Sequence, residues 1–214
     1  MNLILIYAWL LFGYLIQISG AEETECRIPV YLENFEQANK AGVKSADGHL
    51  LQIKKLQFYL SCSSKNIPDT QEYHLIDINN GKDTLKLEGE PGRHWYTGVD
   101  SLTQKDGAKE GDLDPFNGMY WAWHSGYIEL KLEGVLTMKS GDRQDVLIHA
   151  GGFGPLQQDL FPLKNNSDRN NPRVCLNLNN LIQLMISNEL FHSMLPGEKS
   201  HLLMKAFSQG IQIR

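Results

Sequence analysis

The stretch Asp112–Gly134, which reads DLDPFNGMYWAWHSGYIELKLEG, joins a cluster of turn residues to an alternating strand pattern. Its first half contains Asp-Pro at 114–115 and Asn-Gly at 117–118, which favour turns because proline presets φ and Asn-Gly accepts positive φ. Its second half, at 127–132, alternates Tyr, Glu and Lys with Ile, Leu and Leu. A period of two predicts a strand with one buried face.

Two of the four tryptophans and a histidine lie in the middle of this stretch. In an extended chain Trp121 and Trp123 share one face, and His124 points to the other side. Indoles bury a large area, so the residues alone favour a core position for the tryptophan pair.

Outside this stretch, short alternating segments separated by turn residues predict an antiparallel β-sandwich, and the protein is therefore expected to be mainly β. The expected strands are 27–35, 50–61, 74–78, 84–87, 95–99, 127–136, 146–149 and 174–178. Pro29 in the first of them indicates a sheet edge or the start of a strand, because proline cannot donate to the ladder. The segment 100–117, rich in Gly and Asp, is expected to be a long loop.

One C-terminal helix is predicted at Leu181–Phe191. Asn180 can cap its first turn, apolar residues recur at helical spacing along it, and Pro196-Gly197 follows it as a stop signal. The sequence contains no internal repeat and no domain linker, so residues 22–214 are expected to form a single domain.

The composition excludes several classes of protein. The 214 residues are 42% hydrophobic and 21% charged, with a formal net charge of −5, which gives no basic surface for nucleic acid. No HExxH, GxSxG or phosphate-loop motif occurs, which argues against a self-sufficient hydrolase, and the protein is not expected to be an enzyme.

The N-terminus predicts export. An apolar run at Leu3–Ile18 is followed by Ser19-Gly20-Ala21, a small-residue pattern suited to a signal peptidase, so residues 1–21 are interpreted as a signal peptide. A retained membrane anchor is the alternative, but the run is short for a span. A periplasmic or secreted protein without stable membrane insertion is therefore expected.

Export would place Cys26, Cys62 and Cys175 in an oxidising compartment. Three cysteines form at most one internal disulfide, and the sequence leaves the pairing open. A thiolate metal ligand is a weaker interpretation, because no C-x-x-C occurs.

Among the seven histidines, His149 follows an apolar strand and precedes Gly151-Gly152. A histidine there is either a hydrogen-bonded structural residue or a metal ligand. His74 and His94 lie in short strands and could approach a site from a neighbour, whereas His49, His192 and His201 are expected at the surface or at helix ends. The acidic residues between 106 and 114 lack calcium-loop spacing, which favours a solvated loop.

The sequence resembles the family of MbnP-like copper-binding proteins through a series of blocks in the middle of the chain. The blocks are 55–61 (KLQFYLS), 98–101 (GVDS), 111–115 (GDLDP), 118–123 (GMYWAW), 126–128 (GYI), 131–134 (KLEG) and 149–153 (HAGGF). His124 and Cys62 depart from the family pattern, which has a polar residue such as Asn at the first position and Asn at the second.

The resemblance implies a copper site. It implies that His149, in the His-x-Gly-Gly segment, is one copper ligand, and that Trp121 or Trp123 is oxidised to kynurenine by a partner di-haem cytochrome c peroxidase of the MbnH type. His124 is either a second imidazole ligand or a solvent-facing strand residue. Imidazole suits copper in either oxidation state.

The sequence therefore leaves two functions from different classes. The first is an exported protein that sequesters or shuttles copper and performs no catalysis. The second is a carbohydrate- or peptide-binding β-sandwich that uses Trp95, Trp121 and Trp123 as a stacking platform.

Overall fold

A computed structural model describes residues 25–36, 42–63, 72–88, 94–153, 160–166 and 172–214. The expected signal peptide and its cleavage site at Ala21 lie outside these residues. The strands are β1 (Glu25–Leu32), β2 (Phe35–Glu36), β3 (Gly42–Lys44), β4 (Leu50–Ser63), β5 (Glu72–Asp77), β6 (Thr84–Glu88), β7 (His94–Thr97), β8 (Tyr120–Ala122), β9 (Gly126–Thr137), β10 (Arg143–Gly151), β11 (Phe161–Pro162), β12 (Lys164–Asn165), β13 (Val174–Leu176), β14 (His192–Ser193) and β15 (Ile211–Ile213). The α-helices are α1 (Ser101–Lys105), α2 (Asn179–Ser187) and α3 (Glu198–Ser208), with 3-10 turns at Ile78–Asn80, Gly111–Leu113 and Pro115–Asn117.

The described strands form two sheets. The small sheet has the order β12-β15-β13-β1-β6, and the large sheet has a central path β11-β7-β4-β9-β10-β14, to which β2, β3, β5 and β8 are added. Strand β4 organises the large sheet, because β9 and then β7 pair along one of its edges while β3 and β5 pair along the other. Its 14 residues are long enough to hold four partners.

One hydrophobic core joins both sheets and the C-terminal helices. Strands β4, β9 and β10 direct alternate apolar residues such as Phe58, Leu130 and Ile148 into it, and all three are fully buried. The small sheet supplies Ile28 and Val174 to the same cluster. A sheet packed on a sheet in this way gives a sandwich-like, mainly β architecture.

The opposite face of the large sheet has a second, smaller core. Tyr59, Leu75 and Tyr127 point away from the main core and pack beneath Val99 and Met119 of the covering segment 98–125. The segment expected to be a long loop is therefore partly ordered as α1 and two 3-10 turns. Asp100 begins α1, since its Oδ1 accepts from the backbone N–H groups of Leu102 and Thr103 at 2.9 and 3.0 Å.

Pro29 does not lie at a sheet edge or at a strand start, so that expectation is wrong. Strand β1 pairs with antiparallel β6 from Glu25 to Pro29 and with parallel β13 from Val30 to Leu32. Proline is tolerated because it stands where the strand changes partner and no N–H is required of it.

The prediction of one C-terminal helix is also corrected. The expected helix Leu181–Phe191 is α2, which begins at Asn179 and ends at Ser187. Asn180 does not cap it; instead Asn177 Oδ1 accepts from the N–H of Asn179 at 2.9 Å. A further helix, α3, follows Pro196-Gly197. Three pairings, β1 with β13, β10 with β14 and β12 with β15, are parallel, so the sheets are not purely antiparallel.

Candidate functional site

His149 lies within β10 rather than at its end, because the strand continues to Gly151. In the register of the large sheet it stands opposite Lys131 of β9, which in turn stands opposite Gln57 of β4. The imidazole is mostly buried, with its Nε2 2.8 Å from Glu133 Oε1. A carboxylate that holds one ring nitrogen fixes the orientation of the ring, an arrangement common in metal-binding histidines. Sequence reasoning did not identify Glu133.

Lys131 ties this part of the sheet to the covering segment. Its Nζ donates to the carbonyl oxygen of Gly118, so its side chain lies on the same side as that segment. Burial lowers the pKa of Lys131, and the nearby ammonium of Lys55 lowers it further against the attraction of Glu133. Because Lys131 and His149 are directly paired, their side chains share one face.

Trp121 lies on the same side of the large sheet. It packs, partly buried, against the second core that contains Tyr127. A Cβ built on Gly152 would lie 2.9 Å from Cζ3 of Trp121 and 2.5 Å from the carbonyl oxygen of Ser125, and Gly152 has a φ of +82°. Glycine therefore lets the indole approach the backbone only three residues beyond His149.

A buried hydrogen-bond network fixes this approach. Gln104 of α1 accepts from the N–H of Tyr127 at 2.9 Å and donates to the carbonyl oxygen of Gly152 at 3.2 Å. The same amide donates to Glu129 Oε1 at 2.5 Å, and both side chains are almost completely buried. Since buried polar groups are costly unless paired, this network locks the covering segment to the ends of β9 and β10.

Trp123 and His124 do not occupy a strand, and the expected strand phase is wrong for both. Strand β8 ends at Ala122, which pairs with Gly126, so the intervening residues form an exposed hairpin turn. Trp123 is 78% exposed, and its ring packs edge-on against His124 with 5.5 Å between centroids. The structure thus brings Trp121 near the end of the His149 strand, while Trp123 and His124 face solvent together.

A second cluster of metal-binding side chains lies on β4 and β5. The sulfur of Cys62, a carboxylate oxygen of Glu72 and a ring nitrogen of His74 all lie within 4.8 Å of one another. Within the described part of the chain, no other group of three or more His, Cys, Asp or Glu side chains has its ligand atoms this close together. Burial lowers the pKa of His74 despite the opposing attraction of Asp112 and Glu72, which favours the neutral imidazole.

The other candidates divide between structural and surface positions. Trp95 is buried with 2% exposure, so it cannot contribute to a stacking platform. His49 accepts a hydrogen bond from the N–H of Lys139, and His192 is exposed on β14. His201 lies in the first turn of α3, partly buried, with its ring 5.6 Å from that of Phe161. His94 lies on β7 opposite Ser63.

Three of the acidic residues between 106 and 114 have structural partners. Asp112 Oδ2 accepts from the N–H of Leu75 at 2.8 Å, and Asp114 Oδ1 accepts from the N–H of Phe116 at 2.8 Å. Asp106 forms an ion pair with Lys109. No disulfide joins Cys26, Cys62 and Cys175. None of the described helices has the length and apolarity needed to cross a membrane.

Comparison with known proteins gives two matches. The family model described as MbnP matches residues 28–203 of the chain. No curated protein matches the sequence. Among solved structures, MbnP from Methylosinus trichosporium is similar to this chain, with 13% sequence identity and a TM-score of 0.45 over 74% of this chain and 77% of that chain.

Proposed function

The chain belongs to the MbnP family, and we propose that it is an exported copper-binding protein that sequesters or shuttles the metal without catalysing a reaction. The family match carries the proposal, because it spans all the blocks that resemble copper-binding proteins, including the His-x-Gly-Gly segment at His149. Copper is the cargo of the protein in this account.

His149 is proposed as one copper ligand. Its Nε2 is held by Glu133 at 2.8 Å, so Nδ1 is the nitrogen that we propose as the copper donor. Neutral imidazole is a good ligand for copper in either oxidation state. The carboxylate also compensates the positive charge that copper brings to a mostly buried position.

One tryptophan of the pair Trp121 and Trp123 is proposed to be oxidised to kynurenine by a di-haem peroxidase. Two molecules of peroxide each give one oxygen atom and leave as water, and the C2–C3 bond of the indole breaks to give N-formylkynurenine. Hydrolysis of the N-formyl group then releases C2 as formate. The product carries an aryl amine and a ketone, which add a nitrogen donor for copper. Trp121 is the better placed of the two, because it packs on Gly152 beyond His149.

His124 is proposed as an auxiliary ligand only if the exposed turn closes over the site, since it points into solvent beside Trp123. A copper-binding loop that is open before loading would be consistent with shuttling. The aryl amine and His149 are therefore the primary donors in this proposal.

The test is a Cu(I) titration against a chromophoric chelator, with the mature protein and two histidine variants, all three after oxidation by the di-haem peroxidase. His149→Ala is expected to weaken binding by more than about 100-fold, because even the outer partners of metal ligands contribute 10–100-fold. His192→Ala is the matched control, since it removes an exposed histidine from the strand paired with β10. Equal copper affinity of the two variants would exclude His149 as a ligand.

A further inference from the structure

We propose that Cys62, Glu72 and His74 form a second metal site, separate from His149, that takes a thiophilic d10 cation, with Zn(II) preferred over Cu(I). The proposal does not depend on the copper function. It rests on the register of two strands, on the distances between the donor atoms and on the chemistry of those donors.

The pairing of β4 with β5 brings the three residues together. Cys62 stands opposite Glu72, and Leu60 stands opposite His74, so His74 lies one diagonal step from Cys62 on the same face. The register between these strands is continuous from Gln57 to Cys62. Two paired strands hold their side chains more rigidly than a loop would, which suits a preorganised metal site.

The site is separate from His149 because it lies on the other face of the large sheet. Gln57 is in the row that contains Lys131 and His149. Cys62 is five residues further along the same strand, an odd separation, and therefore points to the opposite face. Its membership of the main core agrees with this orientation.

The distances fit a cation placed between the donors. His74 Nε2 is 3.9 Å from Glu72 Oε2, which is too long for a hydrogen bond. Two ligands of a tetrahedral Zn(II) lie about 3.4 Å apart, given metal–ligand bonds of about 2.0–2.2 Å. The side chain of Glu72 is 63% exposed, so a change of rotamer can shorten its distance to His74 from 3.9 Å to the ligand separation of a zinc site.

The surroundings of His74 add a second observation. Its Nε2 is buried, and within the described part of the chain it has no hydrogen-bond partner. A buried polar atom without a hydrogen bond is costly. A metal ion between His74 and the Cys62 thiolate would give His74 Nε2 a bonding partner.

The donor set identifies the class of ion. Thiolate and imidazole together select Zn(II) or Cu(I), whereas a carboxylate is a hard donor that Zn(II) accepts and Cu(I) binds poorly. Three protein ligands leave a fourth tetrahedral position open to water or another donor. Zn(II) therefore uses all three side chains.

Cobalt(II) provides the test, because a thiolate bound to cobalt gives a charge-transfer band in the near ultraviolet. The metal-free mature protein is expected to develop this band with one equivalent of cobalt, and Zn(II) is expected to abolish it by displacement. Cys62→Ser should eliminate the band, and His74→Ala should weaken cobalt binding by more than about 100-fold.

Three matched controls should keep the band. His94→Ala removes a partly buried histidine that faces away from Cys62, since it pairs with Ser63. Cys175→Ser removes a buried thiol from the small sheet. His149→Ala separates this site from the proposed copper site, so the two proposals fail independently.

A double variant, Cys26→Ser with Cys175→Ser, leaves Cys62 as the sole thiol and guards against a Cys62→Ser protein that does not fold. The band in this variant would support the assignment. An absent band in the wild-type protein, or a band that persists in folded Cys62→Ser, would overturn it. Displacement of cobalt by Cu(I) but not by Zn(II) would overturn the preference for zinc.

Discussion

Gly152 shows how a single residue positions the candidate copper site. Its positive φ and its contact with Trp121 both require the absence of a side chain. The hydrogen bond of Gly152 N–H to the carbonyl oxygen of Tyr127, at 2.7 Å, holds the backbone in that conformation. At this scale the site is defined by backbone geometry as much as by His149.

Gly152→Ala is therefore expected to lower the free energy of unfolding by roughly 3–5 kcal/mol, because backbone strain adds to a collision with Ser125 and Trp121. Gly141→Ala is the control, since Gly141 also has a positive φ but a Cβ there would have no atom within 4 Å. It should cost only about 1–2 kcal/mol. Urea unfolding measures both variants, and equal losses would contradict the close packing of Ser125, Pro196 and Trp121 against Gly152.

Asp100 links the pH dependence of stability to α1. Burial raises its pKa, but hydrogen bonds from Thr103, Tyr73 and Leu102 outweigh burial and lower it below its ordinary value of 3.8. A carboxyl group with a lowered pKa in the folded state stabilises the protein above pH 3.8, and this contribution is lost as the pH falls through the folded-state pKa.

Asp100→Ala should thus lower the free energy of unfolding by roughly 2–3 kcal/mol at pH 7, through the lost cap and side-chain hydrogen bonds. The difference from the wild-type protein should shrink as the pH is lowered below 3.8. Asp106→Ala, at the other end of α1, should change stability by less than about 0.5 kcal/mol because its ion pair is exposed. A difference for Asp100→Ala that stays constant down to about pH 2 would contradict this account.

The elements differ in how well the sequence predicts them. Strands β4 and β9 coincide with the alternating segments at 50–61 and 127–136, but the expectation of a single buried face is wrong between the two cores. There both faces are buried, from Leu56 to Ser63 and from Gly126 to Leu130. The same alternation fails at Trp123, where a tight hairpin turn ends β8 after three residues. Trp121 and Trp123 are two residues apart, as residues on one face of a strand are, but Trp121 lies in β8 and Trp123 lies in the turn that follows it.

Gln104 is the residue that fastens the covering segment to the large sheet. Gln104→Ala should cost roughly 3 kcal/mol, because the buried N–H of Tyr127 and the carboxylate of Glu129 each lose a hydrogen bond. Lys105→Ala, on the exposed side of α1, should be nearly neutral. Hydrogen exchange at the Tyr127 amide should accelerate only in the Gln104 variant, and unchanged exchange there would exclude this role.

For the whole molecule, the sequence predicts the mainly β architecture, and the family resemblance suggests copper binding. The sequence does not predict helix α3 or the side-chain clusters that form between neighbouring strands. Helix α3 escapes prediction because Pro196-Gly197 is a strong stop signal, although apolar residues recur at helical spacing through Phe207. The cluster of Cys62 and His74 depends on the register between β4 and β5, which no local pattern specifies. The family resemblance points to His149, whereas its partner Glu133 comes from the neighbouring strand.

Export is a prediction for the whole chain that the described residues leave untested. The mature protein is expected to begin at Glu22, because signal peptidase prefers the small residues Ser19-Gly20-Ala21 before the cleavage site. Intact-mass measurement of periplasmic or secreted protein tests this. A mass that still includes Leu3–Ile18 would mean that the apolar run is retained.

Copper is proposed to bind at His149 together with an oxidised tryptophan. The most direct measurement is peptide mass mapping of residues 119–131 after co-expression with the di-haem peroxidase, followed by Cu(I) titration of the oxidised and unmodified proteins. We expect one tryptophan that has gained an oxygen and lost a carbon, tight copper binding only in that form, and loss of this binding in His149→Ala. Two intact indoles, with tight copper binding that survives His149→Ala, would contradict it.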